Sequence, residues 1–147
     1  MKVMTGLLAS LLSFGLVLRA LAGETLPGPL PARVVQVLDG DTLEVAARIW
    51  LDQEITIKVR LDGIDTPEIR AKCAAERAAA ARAKAFVSEL VDAGPVALRQ
   101  IRYGKYAGRV LARVAAADGR DLSRALIAER LARPYNGGRR RPWCSSG

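Results

Sequence analysis

Four carboxylates stand in two short segments, each at the end of a predicted strand. Asp39 and Asp41 flank a glycine, and Asp65 and Glu68 flank a Thr-Pro pair. Carboxylate oxygens are hard ligands of the kind that Ca²⁺ binds. Each segment alone is equally typical of ordinary turn and helix-start chemistry. Together, the two segments favour a binding site for Ca²⁺ or a similar cation.

Two arginines accompany these carboxylates. Arg60 interrupts an alternating apolar strand just before the second acidic segment, and Arg109 opens the last predicted strand. Either side chain alone is also typical of a solvent-facing strand position. Carboxylates, a cation and two guanidinium groups are what phosphoryl transfer needs, because positive charge stabilises the transition state and a carboxylate accepts a proton from water.

Composition narrows the class of protein and of partner. The chain has 147 residues, half of them hydrophobic, which is enough for one domain with a core. Its net charge of +8 points to a polyanionic partner. Histidine is absent from the sequence, which excludes histidine acid–base catalysis and histidine-ligated zinc.

The patterning predicts five strands and two helices in the order βββαββα. The predicted strands cover residues 34–38, 42–50, 55–61, 96–101 and 109–116, and the predicted helices cover residues 69–91 and 122–131. Asp121 is placed to cap the second helix. Three successive strands without helical crossovers exclude a doubly wound parallel sheet. The order is typical of a small α+β Greek-key barrel of the OB type.

The N-terminus is predicted to be a sorting signal. Residues 1–22 combine a positive start, a short apolar run and an Ala-Leu-Ala cleavage site, as a signal peptide does. An uncleaved anchor is the alternative. We expect a secreted or periplasmic protein without stable membrane association after cleavage, and a proline-rich linker over residues 23–31.

Three segments carry a family resemblance. They are Asp-Gly-Asp-Thr at 39–42, Val-Arg-Leu-Asp-Gly-Ile-Asp-Thr-Pro-Glu at 59–68 and Gly-Arg-Val-Leu-Ala at 108–112. In this order and spacing, the chain resembles the staphylococcal nuclease (thermonuclease) family. The resemblance implies a five-stranded OB-fold barrel with packed helices. We place this domain at residues 32–136 and a basic C-terminal tail at residues 137–147.

The resemblance also implies an activity and a metal. Members of this family hydrolyse DNA and RNA phosphodiester bonds with Ca²⁺ and with little sequence specificity, leaving 3′-phosphate ends. The implied Ca²⁺ ligands are the side chains of Asp41 and Asp65 and the backbone carbonyl of Thr66. Asp39 would reach the ion through water.

The same resemblance assigns the catalytic residues. Glu68 would be the general base, and Arg60 and Arg109 would hold the scissile phosphate. We expect a monomer that acts on DNA and RNA. The alternative is a non-catalytic OB-fold module that binds single-stranded nucleic acid, although such a module has no need to keep these residues.

The two cysteines and the basic tail leave alternatives open. Cys73 and Cys144 are expected to form a disulfide in an oxidising compartment, and two unrelated thiols are the alternative. The tail contains three consecutive arginines at residues 139–141 and one aromatic residue, Trp143. It is either a solvated extension or an added phosphate track with a stacking platform for a base.

Overall fold

The computed structural model describes residues 23–144, so the signal-peptide prediction for residues 1–22 lies outside the described residues. Within this range, neither helix is long and apolar enough to cross a bilayer.

Five long strands, three two-residue strands and two helices make up the described fold. In chain order they are β1 (Thr25–Leu26), β2 (Leu30–Asp39), β3 (Thr42–Trp50), β4 (Gln53–Leu61), β5 (Ile64–Asp65), α1 (Ala74–Asp92), β6 (Val96–Tyr103), β7 (Arg109–Ala115), α2 (Leu122–Ala128) and β8 (Arg133–Pro134). The long strands and the helices confirm the predicted order βββαββα.

The five long strands close into a barrel. Strands β2, β3 and β4 form an antiparallel meander, and β4 then pairs in parallel with β7. Strand β7 pairs with β6, and β6 pairs with β2, which completes the ring. This closure confirms the predicted OB-type barrel. Because β2 and β4 both run antiparallel to β3, their ends lie at the same rim.

Alternate side chains of the strands fill the barrel. Leu43, Val45, Val59 and Leu61 are fully buried, and each buried aliphatic side chain of this kind stabilises the fold by about 1.5–3 kcal/mol. One face of α1 adds a stripe of buried residues at helical spacing, which are Ala80, Ala83, Val87 and Leu90. The helix packs against β2 and thereby reaches the rim that carries the acidic segments.

The strands predicted at residues 34–38, 55–61 and 96–101 are longer in the structure, and both helices and the N-terminal segment also differ from their predicted boundaries. Helix α1 begins at Ala74 rather than at residue 69, because Cys73 caps it by accepting a hydrogen bond from the Glu76 amide. Helix α2 ends at Ala128 rather than at residue 131, because Arg130 adopts a left-handed backbone with φ of 57°. The expected linker 23–31 instead contains β1 and the start of β2.

The turn between β2 and β3 packs tightly against two other elements. A Cβ atom at Gly40 would lie 2.7 Å from the Ala83 Cβ of α1 and 3.1 Å from the Thr66 hydroxyl. Only glycine allows this close approach. The contact holds the two aspartates that flank Gly40 beside the segment that follows β5.

We expect Gly40→Ala to lower the free energy of unfolding by about 1–3 kcal/mol, because the added methyl group overpacks this contact. Guanidinium denaturation measures the change. Gly104→Ala is the matched control, since a Cβ atom there meets its nearest neighbour at an ordinary 3.5 Å.

Adding Ala83→Gly to the Gly40→Ala variant removes the opposing methyl group. The double variant should therefore lose less free energy of unfolding than the sum of the losses in the two single variants. Strict additivity of the two changes would contradict the proposed contact.

Candidate active site

A cleft of about 480 Å³ opens at the rim where β2 and β4 end. Six of the predicted site residues line it, namely Asp39, Asp41, Arg60, Thr66, Glu68 and Arg109. Asp65 is buried and does not line the cleft, but it contacts Arg60. The structure thus brings the predicted residues together from three distant parts of the sequence.

Asp41 connects the two acidic segments. Its residue is only 3% exposed, and its carboxylate contacts Arg60 Nη1 at 2.7 Å. The same carboxylate accepts hydrogen bonds from the Thr66 amide at 3.3 Å and from the Thr42 hydroxyl at 3.0 Å. Its backbone carbonyl accepts a hydrogen bond from the Leu61 amide at 2.8 Å. Asp41 therefore fixes the turn to the end of β4.

Arg60 lies between the two aspartates expected to bind the cation. Beside its contact with Asp41, its Nη2 atom is 3.7 Å from Asp65 Oδ1 and donates a hydrogen bond to the Ile64 carbonyl at 3.3 Å. Because both carboxylates are buried, this positive charge offsets part of their desolvation and mutual repulsion. Arg60 is consequently held at the cleft by its own neighbours.

The pKa of Asp39 reflects its burial and the closeness of a second carboxylate. Burial raises the pKa of Asp39 to about 6, and the adjacent Asp41 carboxylate adds to this rise. Its side chain also accepts a hydrogen bond from the Asp41 amide at 3.2 Å. Such crowding favours the arrival of another positive group.

Glu68 and Arg109 have more freedom than the aspartates. The Glu68 amide donates a hydrogen bond to Glu76 of α1 at 3.0 Å, which positions the backbone, while the Glu68 side chain remains about half exposed. The Arg109 guanidinium lies 5.2 Å from the centre of the Tyr106 ring. Within residues 23–144 it forms no ion pair, so its charge is available to the cleft.

The C-terminal tail reaches the same site. Arg140 Nε contacts Asp65 Oδ1 at 2.6 Å, Arg140 Nη2 donates to the Thr66 carbonyl at 3.1 Å, and Arg140 Nη1 pairs with Glu68. The Trp143 indole N–H donates to Asp65 Oδ2 at 3.0 Å. This part of the tail is not a solvated extension.

Two further contacts anchor the tail. Cys73 and Cys144 form a disulfide, as predicted, which joins the tail to the start of α1. The Arg133 guanidinium lies 3.6 Å from the centre of the Trp143 ring and covers one of its faces. The ring is thus already engaged on one side, which weakens its interpretation as an open stacking platform.

Sequence reasoning missed the contacts of Arg140, Trp143 and Glu76 with the site. The available signal for the tail was the cysteine pair, because a bond from Cys144 to the residue before α1 brings the preceding tail residues close to Glu68. The carboxylate of Glu76 gave no comparable signal.

The oxygen atoms at this site are suitable ligands for a hard divalent cation. The Arg140 guanidinium is a stand-in positive group, and it contacts both the Asp65 carboxylate and the Thr66 carbonyl, two of the three expected ligands. The third, Asp41, lies within hydrogen-bond distance of the Thr66 amide. Carboxylate and peptide oxygens are the ligands that Ca²⁺ and Mg²⁺ bind.

The sequence model of a known family, described as staphylococcal nuclease homologue, matches residues 58–142. This chain belongs to that family. The matched range begins within β4 and includes Arg60, Asp65, Glu68 and Arg109. A comparison with curated proteins found no match. Membership in the staphylococcal nuclease family indicates a nuclease-like hydrolase with nucleic-acid substrates, and the family is generally metal-dependent.

We expect reduction of the Cys73–Cys144 bond to destabilise this staphylococcal nuclease homologue. The cysteines are 71 residues apart, and the chain-entropy model gives about 4 kcal/mol for a loop of that size. A lower melting temperature in reductant, together with a linked peptide pair in the mass spectrum of unreduced protein, is the expected result. Free alkylation of both thiols in the native protein would contradict it.

Proposed function

We propose that the chain is a secreted or periplasmic calcium-dependent nuclease. It hydrolyses phosphodiester bonds in DNA and RNA with little sequence specificity and leaves 3′-phosphate ends. One observation carries this proposal: in a basic protein, one cleft is lined by the buried Asp41, the partly buried Asp39, two arginines and a half-exposed glutamate, and the buried Asp65 contacts one of these arginines.

Asp41, Asp65 and the Thr66 carbonyl would hold the calcium ion, and Asp39 would act on it through water. When bound, the ion supplies positive charge that a phosphodiester needs as its own negative charge rises. The hydrogen bond from the Thr66 amide to the Asp41 carboxylate supports this ligand set, because it holds Asp41 and Thr66 close to each other.

Arg60 and Arg109 would hold the scissile phosphate. A guanidinium fork matches two phosphate oxygens at once, and it does so best when charge builds up in the transition state. Arg60 is fixed by the buried aspartates, whereas Arg109 lines the cleft without a carboxylate partner among the described residues. The two side chains can therefore play unequal roles, with Arg109 the more responsive to substrate.

Glu68 would be the general base. Its exposed carboxylate lines the cleft, where it can accept a proton from the attacking water. The hydrogen bond from the Glu68 amide to Glu76 positions the Glu68 backbone and does not involve the Glu68 side-chain oxygens.

Export and the monomeric state are parts of the same proposal. The disulfide fits an oxidising compartment, as a secreted or periplasmic location provides. We propose a monomer because all the proposed groups come from one chain.

Nuclease activity should require Ca²⁺, because every proposed ligand is a hard oxygen. A fluorescent plasmid-degradation assay should show turnover with Ca²⁺ and none in excess EGTA. The products should resist polymerase extension until a phosphatase removes the 3′-phosphate. Full turnover in EGTA would contradict the calcium assignment.

Glu68→Gln should depress kcat, because a neutral amide cannot accept the proton of the attacking water. Glu89→Gln, at an exposed position of α1, removes the same charge away from the cleft and is the control. Binding of single-stranded DNA should change little, because the basic surface supplies most of that affinity. Wild-type turnover by the Glu68 variant would contradict its role as general base, and binding without turnover by the wild-type protein would favour the binding-module alternative.

Arg109→Lys should also reduce kcat, because lysine keeps the charge but loses the fork. The expected loss is about 2.7–4 kcal/mol of transition-state stabilisation, the range seen when a preorganised donor is removed. Arg113→Lys, four residues along β7 at an exposed position, is the matched control. Equal kcat values for the two variants would show that Arg109 does not contact the reacting phosphate.

A further inference from the structure

Three donor groups of one arginine contact two of the three proposed cation ligands and the proposed general base. Arg140 contacts the carboxylate of Asp65, the carbonyl of Thr66 and the carboxylate of Glu68. No other tail arginine does this within the described residues, since neither Arg139 nor Arg141 forms a hydrogen bond with the site carboxylates. Of the three consecutive arginines at residues 139–141, Arg140 alone makes these contacts among the described residues.

We propose that the C-terminal tail is an internal inhibitor of this site, with Arg140 competing against the divalent cation for Asp65 and Thr66 and holding Glu68. This inference rests on the proposed function, because it assigns a form of regulation to the same calcium site.

Competition follows from charge and from shared ligands. A guanidinium group and a divalent cation are both positive, and each needs the Asp65 carboxylate and the Thr66 carbonyl oxygen. Both cannot contact these two oxygens at once without strong repulsion. The apparent affinity for the cation then equals the intrinsic affinity multiplied by the fraction of molecules in which Arg140 has left the site.

The tether makes this competitor effective. Arg140 lies only four residues before Cys144, which is bonded to Cys73 beside the site. Trp143 adds a hydrogen bond to Asp65, and the Tyr135 hydroxyl donates to the Gly138 carbonyl at 2.7 Å. A group tethered so closely has a high effective concentration at its site.

The contact between Arg140 and Glu68 would inhibit proton transfer from the attacking water as well as binding of the metal ion. Arg140 pairs with one carboxylate oxygen of Glu68, the proposed general base. A carboxylate oxygen held by a guanidinium group in this way is not free to contact the attacking water. Displacement of one side chain would therefore free a cation ligand and the general base together.

The test compares calcium affinity in two matched variants of the full mature chain. Arg140→Gln and Arg141→Gln remove the same charge from adjacent residues, so any general electrostatic effect appears in both. Isothermal titration with Ca²⁺ should show Arg140→Gln binding at least about tenfold more tightly than wild type, since the competitor is gone, while Arg141→Gln shifts by less than about twofold. Equal affinities for the two variants would overturn the proposal.

Reduction of the disulfide provides a second arm, in which the tether is released in both wild type and Arg140→Gln. A dithiol reductant should tighten Ca²⁺ binding by wild type, because it lengthens the tether, and should leave Arg140→Gln unchanged. The same effect in both proteins would overturn the role of Arg140.

Nitrogen-15 NMR on wild type gives a readout if Arg140→Gln fails to fold. The Arg140 Nε–Hε signal should be protected from exchange without Ca²⁺ and should lose that protection as Ca²⁺ is added. Protection that persists at saturating Ca²⁺ would overturn the proposal.

Hydrolysis assays separate this inference from the proposed function. Under the proposal, Arg140→Gln reaches half-maximal turnover at a lower Ca²⁺ concentration than wild type. Turnover in both proteins at the same Ca²⁺ requirement would overturn the inhibitor and leave the nuclease intact. A calcium-affinity gap without hydrolysis in either protein would support the inhibitor and contradict the nuclease.

Discussion

The repulsion among buried carboxylates is the constraint on which the cleft depends. Asp41 and Asp65 are 3% and 4% exposed, and Asp39 stands beside them with a raised pKa. Groups of this kind are stable in a protein interior only when positive charge or hydrogen-bond donors meet them. Arg60 supplies one such charge from within the barrel, and Arg140 supplies another from the tail.

The barrel provides the geometry that makes this balance possible. The antiparallel meander of β2, β3 and β4 places the ends of β2 and β4 at one rim. Gly40 then allows the turn to lie against α1 and Thr66, where a larger residue would force it away. The need for positive charge beside these carboxylates therefore arises from packing as well as from composition.

Much of this arrangement was predictable from local sequence signals. Period-two alternation identified β4, and the Asp121 cap identified the start of α2, because these features depend on neighbouring residues. The start of α1 was misjudged because its cap is a cysteine, which is a weak capping residue by composition. The position of Arg140 on Asp65 depends on residues 75 apart in sequence, which no local pattern encodes.

We propose that the cation and the Arg140 guanidinium are alternative occupants of one group of oxygens. Anomalous diffraction from crystals grown with Ca²⁺ tests this claim most directly. The account predicts a single calcium peak at Asp41, Asp65 and the Thr66 carbonyl, with the Arg140 guanidinium withdrawn from Asp65. Arg140 still bound to Asp65 at saturating Ca²⁺, with the calcium peak elsewhere, would contradict it.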